Sequence, residues 1–384
     1  TKNIKLIKNC KFNKYQLYIN NQDLTFTESA QRYGLADVGF SSQAIFFDMD
    51  KDGDLDMYQV NQPADAKLFL IHDIPKQDYR FFGDRLYENV NGKYKDITKE
   101  AGLIGKTYKF GLGVCAGDLN NDGWTDLYVT NDYEQPDLYL LNNKDKTFTN
   151  VINDKMKHIS FYSMGIDIND INNDGSQDVL TIDMTPSDHY RSKVNMPSMN
   201  TDRFYELVND GNHYQYMKNA LQINVNNGEF SDISNQIGIS RTDWSWSGLI
   251  QDFNNDGLKD IIISNGVKYD LLNNDYIKSV SNLEENISLD RFFELSKKAP
   301  KKKIGNQIFV NKGNYNFSDN SSKWNFDTPT YSSGMAYGDL DNDGDLDIVI
   351  NNMEDYAHVY ENTTNGNFIK INFEGSELNR FGIG

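Results

Sequence analysis

Cysteine is nearly absent from this chain: Cys10 and Cys115 are the only two in 384 residues. Two thiols cannot build a disulfide framework, and Cys115, in an expected inner strand, reads as a small buried hydrophobe. No apolar run is long enough to cross a bilayer as a helix, and no signal-peptide or lipid-attachment pattern is visible. Positive charge is scarce, with 38 Lys and Arg against 56 Asp and Glu, for a net charge of −18. The one basic cluster, Lys297–Lys298 with Lys301–Lys303, reads as a solvated loop end. A nucleic-acid partner is therefore excluded, because phosphate binding needs a basic surface. The five histidines (His72, His158, His189, His213 and His358) are scattered without zinc spacing. A nucleophile elbow and a phosphate-cradling glycine loop are also missing. Hydrophobic content is 38%, which suits strand-and-turn repeats better than an enzyme core.

What is present is one nine-residue pattern written five times. Oxygen-bearing side chains stand at positions 1, 3, 5 and 9, and glycine stands at position 6. The first copy has Asp48, Asp50, Asp52, Asp54 and Asp56. The second has Asp118, Asn120, Asp122, Trp124 and Asp126, and the third Asp170, Asn172, Asp174, Ser176 and Asp178. The fourth has Asp252, Asn254, Asp256, Leu258 and Asp260, and the fifth Asp339, Asp341, Asp343, Asp345 and Asp347. Alternate residues of a tight turn aim their oxygens inward, and Ca²⁺ accepts six to eight oxygens in an irregular cage. Position 7 would contribute its backbone carbonyl, from Asp54, Trp124, Ser176, Leu258 or Asp345. Position 9 could bind through both oxygens. The glycine supplies a backbone reversal that a Cβ resists. About five calcium sites are expected, and five divalent ions would bring the net charge to about −8.

An EF-hand is the nearest competing reading. It needs Glu at position 12 and a following helix. Position 12 here is Gln59, Val129, Thr181, Ile263 or Ile350, and short β-branched runs such as Ile261–Ser264 follow the loops. Those runs read as strands. A lone copy could be an ordinary Asp/Asn/Gly turn, but five copies in one register point to metal. Carboxylates held this close repel one another unless a cation lies between them.

The repeat is larger than its loop. Eight residues before each first Asp stands an aromatic: Phe40, Phe110, Tyr162, Trp244 or Tyr331. A small residue follows: Ser41, Gly111, Ser163, Ser245 or Ser332. A second hairpin comes after each loop, with an apolar pair, an Asn and an aromatic. Its Asn is Asn89, Asn142, Asn224, Asn311 or Asn362, and a sixth copy, with Asn20, precedes the first loop. Each unit is thus about four strands, which predicts an all-β fold, a β-propeller of four-stranded blades. An open β-solenoid is the second choice, since its coils are usually shorter.

The aromatic–small start joined to the loop resembles the FG-GAP/VCBS repeat of integrin-α-like calcium propellers. Residues 369–384 resemble the start of an ASPIC/UnbV-type domain. Together these features are similar to the large VCBS-repeat surface proteins of Bacteroidota. That resemblance implies a non-enzymatic surface lipoprotein at the bacterial outer membrane. Its implied partners are an outer-membrane transporter of the starch-utilisation (SusCD-like) type or other surface lipoproteins. It also implies calcium at the loop residues named above, with the Asn-bearing loops binding more weakly.

The expected domain plan has three parts: outer strands of an incomplete blade at 1–37, five blades at 38–368, and the ASPIC/UnbV-like start at 369–384. Five blades and a fraction suggest a complete ring of seven, with upstream residues closing it. The alternative is closure by pairing of the last strands with the first. Two insertions break the repeat, at about 184–219 and 266–305. The first holds His189, Tyr190, Arg191, Tyr205, His213, Tyr214 and Tyr216, which could stack on a glycan or simply pack the loop; packing is the preferred reading. The second shows helical spacing at 274–279 and 288–296. A glycan-binding, lectin-like propeller remains an alternative function. A carbohydrate-active enzyme using His189, Arg191 and His213 is a more distant one.

Overall fold

The computed structural model describes residues 14–62, 82–104, 109–195, 200–226, 228–280, 289–364, 368–369 and 371. The expected ASPIC/UnbV-like start therefore lies almost wholly outside the described residues, as do Cys10 and His72.

The chain is five blades of a β-propeller set side by side. Before them, β1 (Tyr18–Asn20) and β2 (Phe26–Glu28) form a two-stranded hairpin, followed by the short helix α1 (Ala30–Tyr33). Blade 1 comprises β3 (Ser41–Phe47), β4 (Asp56–Asn61), β5 (Arg85–Asn89) and β6 (Tyr94–Asp96). Blade 2 comprises β7 (Gly111–Gly117), β8 (Asp126–Asn131), β9 (Leu138–Asn142) and β10 (Phe148–Asn150). Helix α2 (Ile152–Lys155) and β11 (Ile159–Ser160) lead to blade 3. That blade is built from β12 (Gly165–Asn169), β13 (Asp178–Ile182), β15 (Ala220–Asn224) and β16 (Phe230–Asp232). Its first insertion carries α3 (Arg191–Val194), α4 (Thr201–Asn209) and β14 (Gln215–Tyr216), which pairs in parallel with β11. Blade 4 comprises β17 (Ser245–Gln251), β18 (Asp260–Asn265), β19 (Gln307–Asn311) and β20 (Phe317–Asp319). Its insertion carries α5 (Asn274–Val280) and α6 (Leu289–Ser296). Among the described residues, blade 5 has three strands: β21 (Ser332–Gly338), β22 (Asp347–Asn352) and β23 (His358–Tyr360). Each blade is antiparallel in sequence order.

The core lies between blades. Alternate residues of each second strand point to opposite neighbours, as the pleat demands. Leu127 and Val129 pack towards Tyr58 and Val60 of blade 1, whereas Tyr128 packs with Val179 of blade 3. Ile261 and Ile263 meet Leu180 and Ile182 of blade 3, whereas Ile262 meets Ile348 and Ile350 of blade 5. Strands buried on both faces read as continuous apolar runs, which is why β8 and β18 show no hydrophobic–polar alternation. Burying a β-branched or aromatic side chain contributes about 1.5–3 kcal/mol, so each interface is held by several such residues.

The innermost strands pack in succession, β3 on β7, β7 on β12, β12 on β17 and β17 on β21. The outer faces differ. On blade 1, Met57 and Tyr87 are covered by Ala30 and Leu35 after the first hairpin. On blade 5, Tyr356 and Val359 stay exposed. Among the described residues, the first hairpin forms its own sheet and shares none with blade 5. Cys115 does sit in an inner strand, β7, and as a residue is half-buried; burial of the thiol itself, then the nearby Asp167, push it up to about 12, so it is protonated.

The edge opposite the acidic loops has its own polar regularity. In blades 1 to 4 the residue just before the third strand accepts a backbone N–H at the end of the second. Asp84 takes Asn61 (2.9 Å), Asp137 takes Asn131 (2.8 Å), Asn219 takes Asp183 (2.7 Å) and Asn306 takes Asn265 (2.8 Å). The small residue that opens each repeat serves the same edge. Ser41, Ser245 and Ser332 donate to Asn61, Asn265 and Asn352 at 2.6–2.8 Å. At Gly111 a Cβ would lie 2.2 Å from a Val60 methyl, so no side chain fits there.

Candidate metal centres

All five nine-residue loops join the first strand of a blade to its second, so they lie at one edge of the propeller. Position 4 adopts left-handed backbone in every loop (Lys51, Asn121, Asn173, Asn255, Asn342; φ 55–65°) and so does the glycine at 6 (φ 82–93°). Asn tolerates that region better than most residues, and glycine enters it at no steric cost.

The carboxylate at position 9 is a strut. One oxygen accepts the N–H of position 2, and the other accepts the N–H of the second-hairpin Asn. Asp178 takes Ile171 at 2.9 Å and Asn224 at 2.8 Å; Asp347 takes Leu340 and Asn362, both at 2.9 Å. Asp56, Asp126 and Asp260 repeat the arrangement. These oxygens keep a second lone pair for a cation, except Asp126 Oδ2, which also accepts from the Tyr139 hydroxyl at 3.4 Å. Burial pushes Asp56, Asp126, Asp178 and Asp260 up to about 7, against the backbone donors that hold them down. A cation beside them would favour the ionised form.

The remaining positions divide the loops into two kinds. In the first and fifth loops, oxygens of Asp48, Asp50 and Asp52, and of Asp339, Asp341 and Asp343, lie within 4.8 Å of one another. Asp54 and Asp345, at position 7, each bury one carboxylate oxygen that has no hydrogen-bond partner among the described residues. Burial, then the neighbouring carboxylates, push both up to about 6. A buried, unpartnered, electrostatically crowded oxygen is what a cation would satisfy. These two loops therefore fit a hard divalent ion.

The middle loops close on themselves instead. Asn120 donates to Asp122 at 2.9 Å, and Asn172 donates to Asp174 at 2.8 Å. Their position-1 carboxylates accept glycine N–H groups, Asp118 from Gly123 at 2.7 Å and Asp170 from Gly175 at 2.9 Å, a bond the first loop shares in Asp48 and Gly53 at 3.1 Å. Asp252 and Gly257 match them at 2.8 Å. Lysines supply charge at two loops: Lys144 lies 3.1 Å from Asp122, and Lys146 lies 2.6 Å from Asp50. The middle loops hold oxygens for a cation but satisfy most of them internally.

Two sets of residues tie the loops to one another, and the sequence pattern gave neither a role. The second-hairpin Asn donates to its own loop and also to the loop of the preceding blade. Asn142 reaches Thr125 and Met49, Asn224 reaches Gln177 and Leu119, Asn311 reaches Lys259 and Ile171, and Asn362 reaches Leu346 and Phe253, all carbonyls, at 2.7–3.3 Å. Position 4 adds a second link. Asn121 donates to Ser176 (3.0 Å), Asn173 to the Gly257 carbonyl (2.8 Å) and Asn255 to the Gly344 carbonyl (3.4 Å), while the Lys51 ammonium sits 5.0 Å from the Trp124 ring centre. The recurring Asn was a usable signal; its partners one blade away were not.

The three residues considered for catalysis fall in different surroundings. His189 is exposed. Arg191 is buried in ion pairs with Asp243 and Asp270. His213 is buried near the Met156 backbone and His158, and burial lowers its basicity. The insertion's tyrosines pack on one another around Phe204 yet remain accessible: Tyr205, Tyr214 and Tyr216 lie 5.2–6.1 Å from its ring. Trp244 sits in the partly buried layer around Met164 and Met184, and Trp246 donates to the Gly266 carbonyl at 2.6 Å.

The family model for the FG-GAP-like repeat matches residues 118–181 and 305–350. The chain thus carries FG-GAP-like repeats arranged as propeller blades. Among curated proteins, none matches it. One similar solved structure is that of an Agrocybe aegerita lectin, described for its specific recognition of non-reducing terminal N-acetylglucosamine. It is 13% identical, with 94% of this chain and 79% of that one covered, at a TM-score of 0.46. Another is the V. cholerae biofilm matrix protein Bap1, 13% identical over 85% of this chain and 45% of that one, at a TM-score of 0.34. Among the described residues, no helix is long and apolar enough to cross a membrane.

Proposed function

We propose that this chain is a calcium-braced propeller that works as a non-catalytic interaction and scaffold module on a bacterial cell surface. Calcium occupies the five loops. It binds most tightly at the first and fifth, where Asp54 and Asp345 bury an unpartnered oxygen beside three crowded carboxylates. That observation carries the reading. Extracellular calcium is abundant enough to fill weak loops, and a ligand bound only to the folded state stabilises it. The scattered histidines and the burial of Arg191 in ion pairs favour docking over catalysis. The resemblance to surface VCBS-repeat proteins suggests a finer role: accessory subunit of an outer-membrane uptake complex of the starch-utilisation type, anchored as a lipoprotein and bound to the transporter or to neighbouring lipoproteins.

Equilibrium dialysis and thermal melting test the core of this reading. About five calcium ions per chain should be retained, and chelation should lower the melting temperature, with about 2.7 kcal/mol lost per site that had been filled at a hundredfold excess over its Kd. A chain that retains no calcium and melts identically in EDTA would refute it. Isolation from outer membranes in calcium buffer tests the finer role: a transporter should accompany the protein, and its absence would sink that assignment alone.

A further inference from the structure

The two insertions leave their blades between the second and third strands. They therefore emerge at the edge opposite the acidic loops, and there they are locked together. Arg191 of the first insertion is buried and donates to both oxygens of Asp243, through Nε and Nη2 at 2.8 Å each. Its Nη1 reaches Asp270 of the second insertion at 3.4 Å. Backbone bridges join Pro186 to Thr242 and Asn195 to Asn273. Between the insertions lies a cleft of about 460 Å³, walled by Tyr190 on one side and Tyr276 on the other. Asp270 lines it and is itself only 3% exposed. One Asp270 oxygen takes Arg191; the other, Oδ1, is buried with no hydrogen-bond partner among the described residues.

We infer that this cleft is a binding site for a neutral pyranose, a single sugar residue or the end of a glycan chain. Four properties select that class. The volume falls within the roughly 300–1,000 Å³ of small-molecule sites. Its charges balance: Asp270, Asp275 and the Asp243 behind them match Arg191, Lys298 and Lys302, so a strongly charged ligand gains little. The polar groups offer both an unfilled acceptor and donors, which suits hydroxyls that donate and accept at once. The exposed Tyr190 presents an apolar ring on which the C–H face of a sugar can lie. This deepens the platform reading by giving the surface module a ligand class.

Saturation-transfer NMR on calcium-saturated protein tests the site, using glucose, galactose, mannose and N-acetylglucosamine as probes. At least one should receive saturation. Tyr190→Ala and Asp270→Asn should each weaken it by about tenfold, the loss of one stacking contact or one charge-assisted hydrogen bond. Tyr190 is exposed, so its removal leaves the fold intact and the melting temperature unchanged. If no probe is saturated, or if both variants bind like the parent, the proposal is overturned. Its lining includes no acidic-loop residue, so loss of calcium binding and loss of sugar binding are separate results.

Discussion

The ends of the propeller arc and its middle handle the same acidic loop differently. At the ends, five aspartates crowd each loop, and a buried oxygen of Asp54 or Asp345 lacks a partner. In the middle, Asn replaces the second aspartate, and in blades 2 and 3 its amide donates to the facing carboxylate. One substitution removes a charge and supplies a donor. It does in the metal-free loop part of what a cation would do, at the cost of a charged ligand. Second strands are buried on both faces in blades 1, 2 and 4 alike, so this packing does not separate ends from middle; blade 5 differs in that Val359 of its third strand and Tyr356 before it stay open. Internal hydrogen bonds satisfy much of the middle loops; at the ends that task would fall to the proposed metal.

The sharpest break in that comparison comes from the asparagine links. Asn311 joins two blades, and replacing it by Ala leaves the Ile171 and Lys259 carbonyls without their donor. A buried acceptor left unsatisfied costs about 1–3 kcal/mol, so Asn311→Ala should lose on the order of 2–3 kcal/mol in urea unfolding. Among the described residues, the Asn89 amide, at the start of the arc, donates only to the Leu55 carbonyl of its own loop. Asn89→Ala should lose roughly 1 kcal/mol. Equal losses would mean that the link between blades contributes nothing.

A smaller effect separates blade 2 from blades 3 and 4 at the opposite edge. Asp137 stands where those blades have Asn219 and Asn306. Burial pushes it up to about 7, despite hydrogen bonds from Asn131, Ser163 and Tyr128 that favour the carboxylate. The folded state thus holds the proton more tightly than the unfolded chain, where the group titrates near 3.9. Its stabilising contribution is complete below pH about 4, declines as pH rises towards 7, and is gone above that. Asp137→Asn removes this slope while keeping the acceptor for Asn131. Relative to the parent, the variant should gain stability between pH 4 and 7. The shift is worth about 4 kcal/mol. The Tyr128 and Ser163 hydroxyl donors, which an amide nitrogen cannot accept, offset about half of it, leaving roughly 1–2 kcal/mol at pH 7.5. Denaturation at fixed calcium checks it, and a pH-independent difference would contradict the protonation account.

Much of this architecture was legible because the repeat is written in chemistry. Oxygens at alternate positions and glycine at 6 define a turn whose flanks are strands, and the five copies fall where the first and second strands meet. The helices at Asn274–Val280 and Leu289–Ser296 followed from apolar spacing. The helix at Thr201–Asn209 did not: its signal is a cap, Asn200 accepting from Asp202 and Arg203, inside a stretch whose tyrosines drew attention instead. The Asn links and the Arg191 ion pairs were also illegible. Their partners lie 52 to 140 residues away, and a local pattern holds no information about which blade a side chain will face. The same holds for the sugar cleft, which exists only because two insertions meet.

The last prediction converts a middle loop into an end loop. Asn120→Asp adds a third carboxylate beside Asp118 and Asp122 and removes the donor that Asn120 gives Asp122 at 2.9 Å. Without metal the variant should lose about 0.5–1.5 kcal/mol, the net worth of one hydrogen bond, softened by Lys144 beside Asp122. With calcium it should gain a charged ligand and bind several-fold more tightly. The opposing signs are the point: melting in EDTA falls while calcium affinity rises, and Asp341→Asn in the fifth loop should do the reverse. Were Asn120→Asp to destabilise the chain equally with and without calcium, the asparagine would be serving the turn alone, and the distinction between ends and middle would not concern metal.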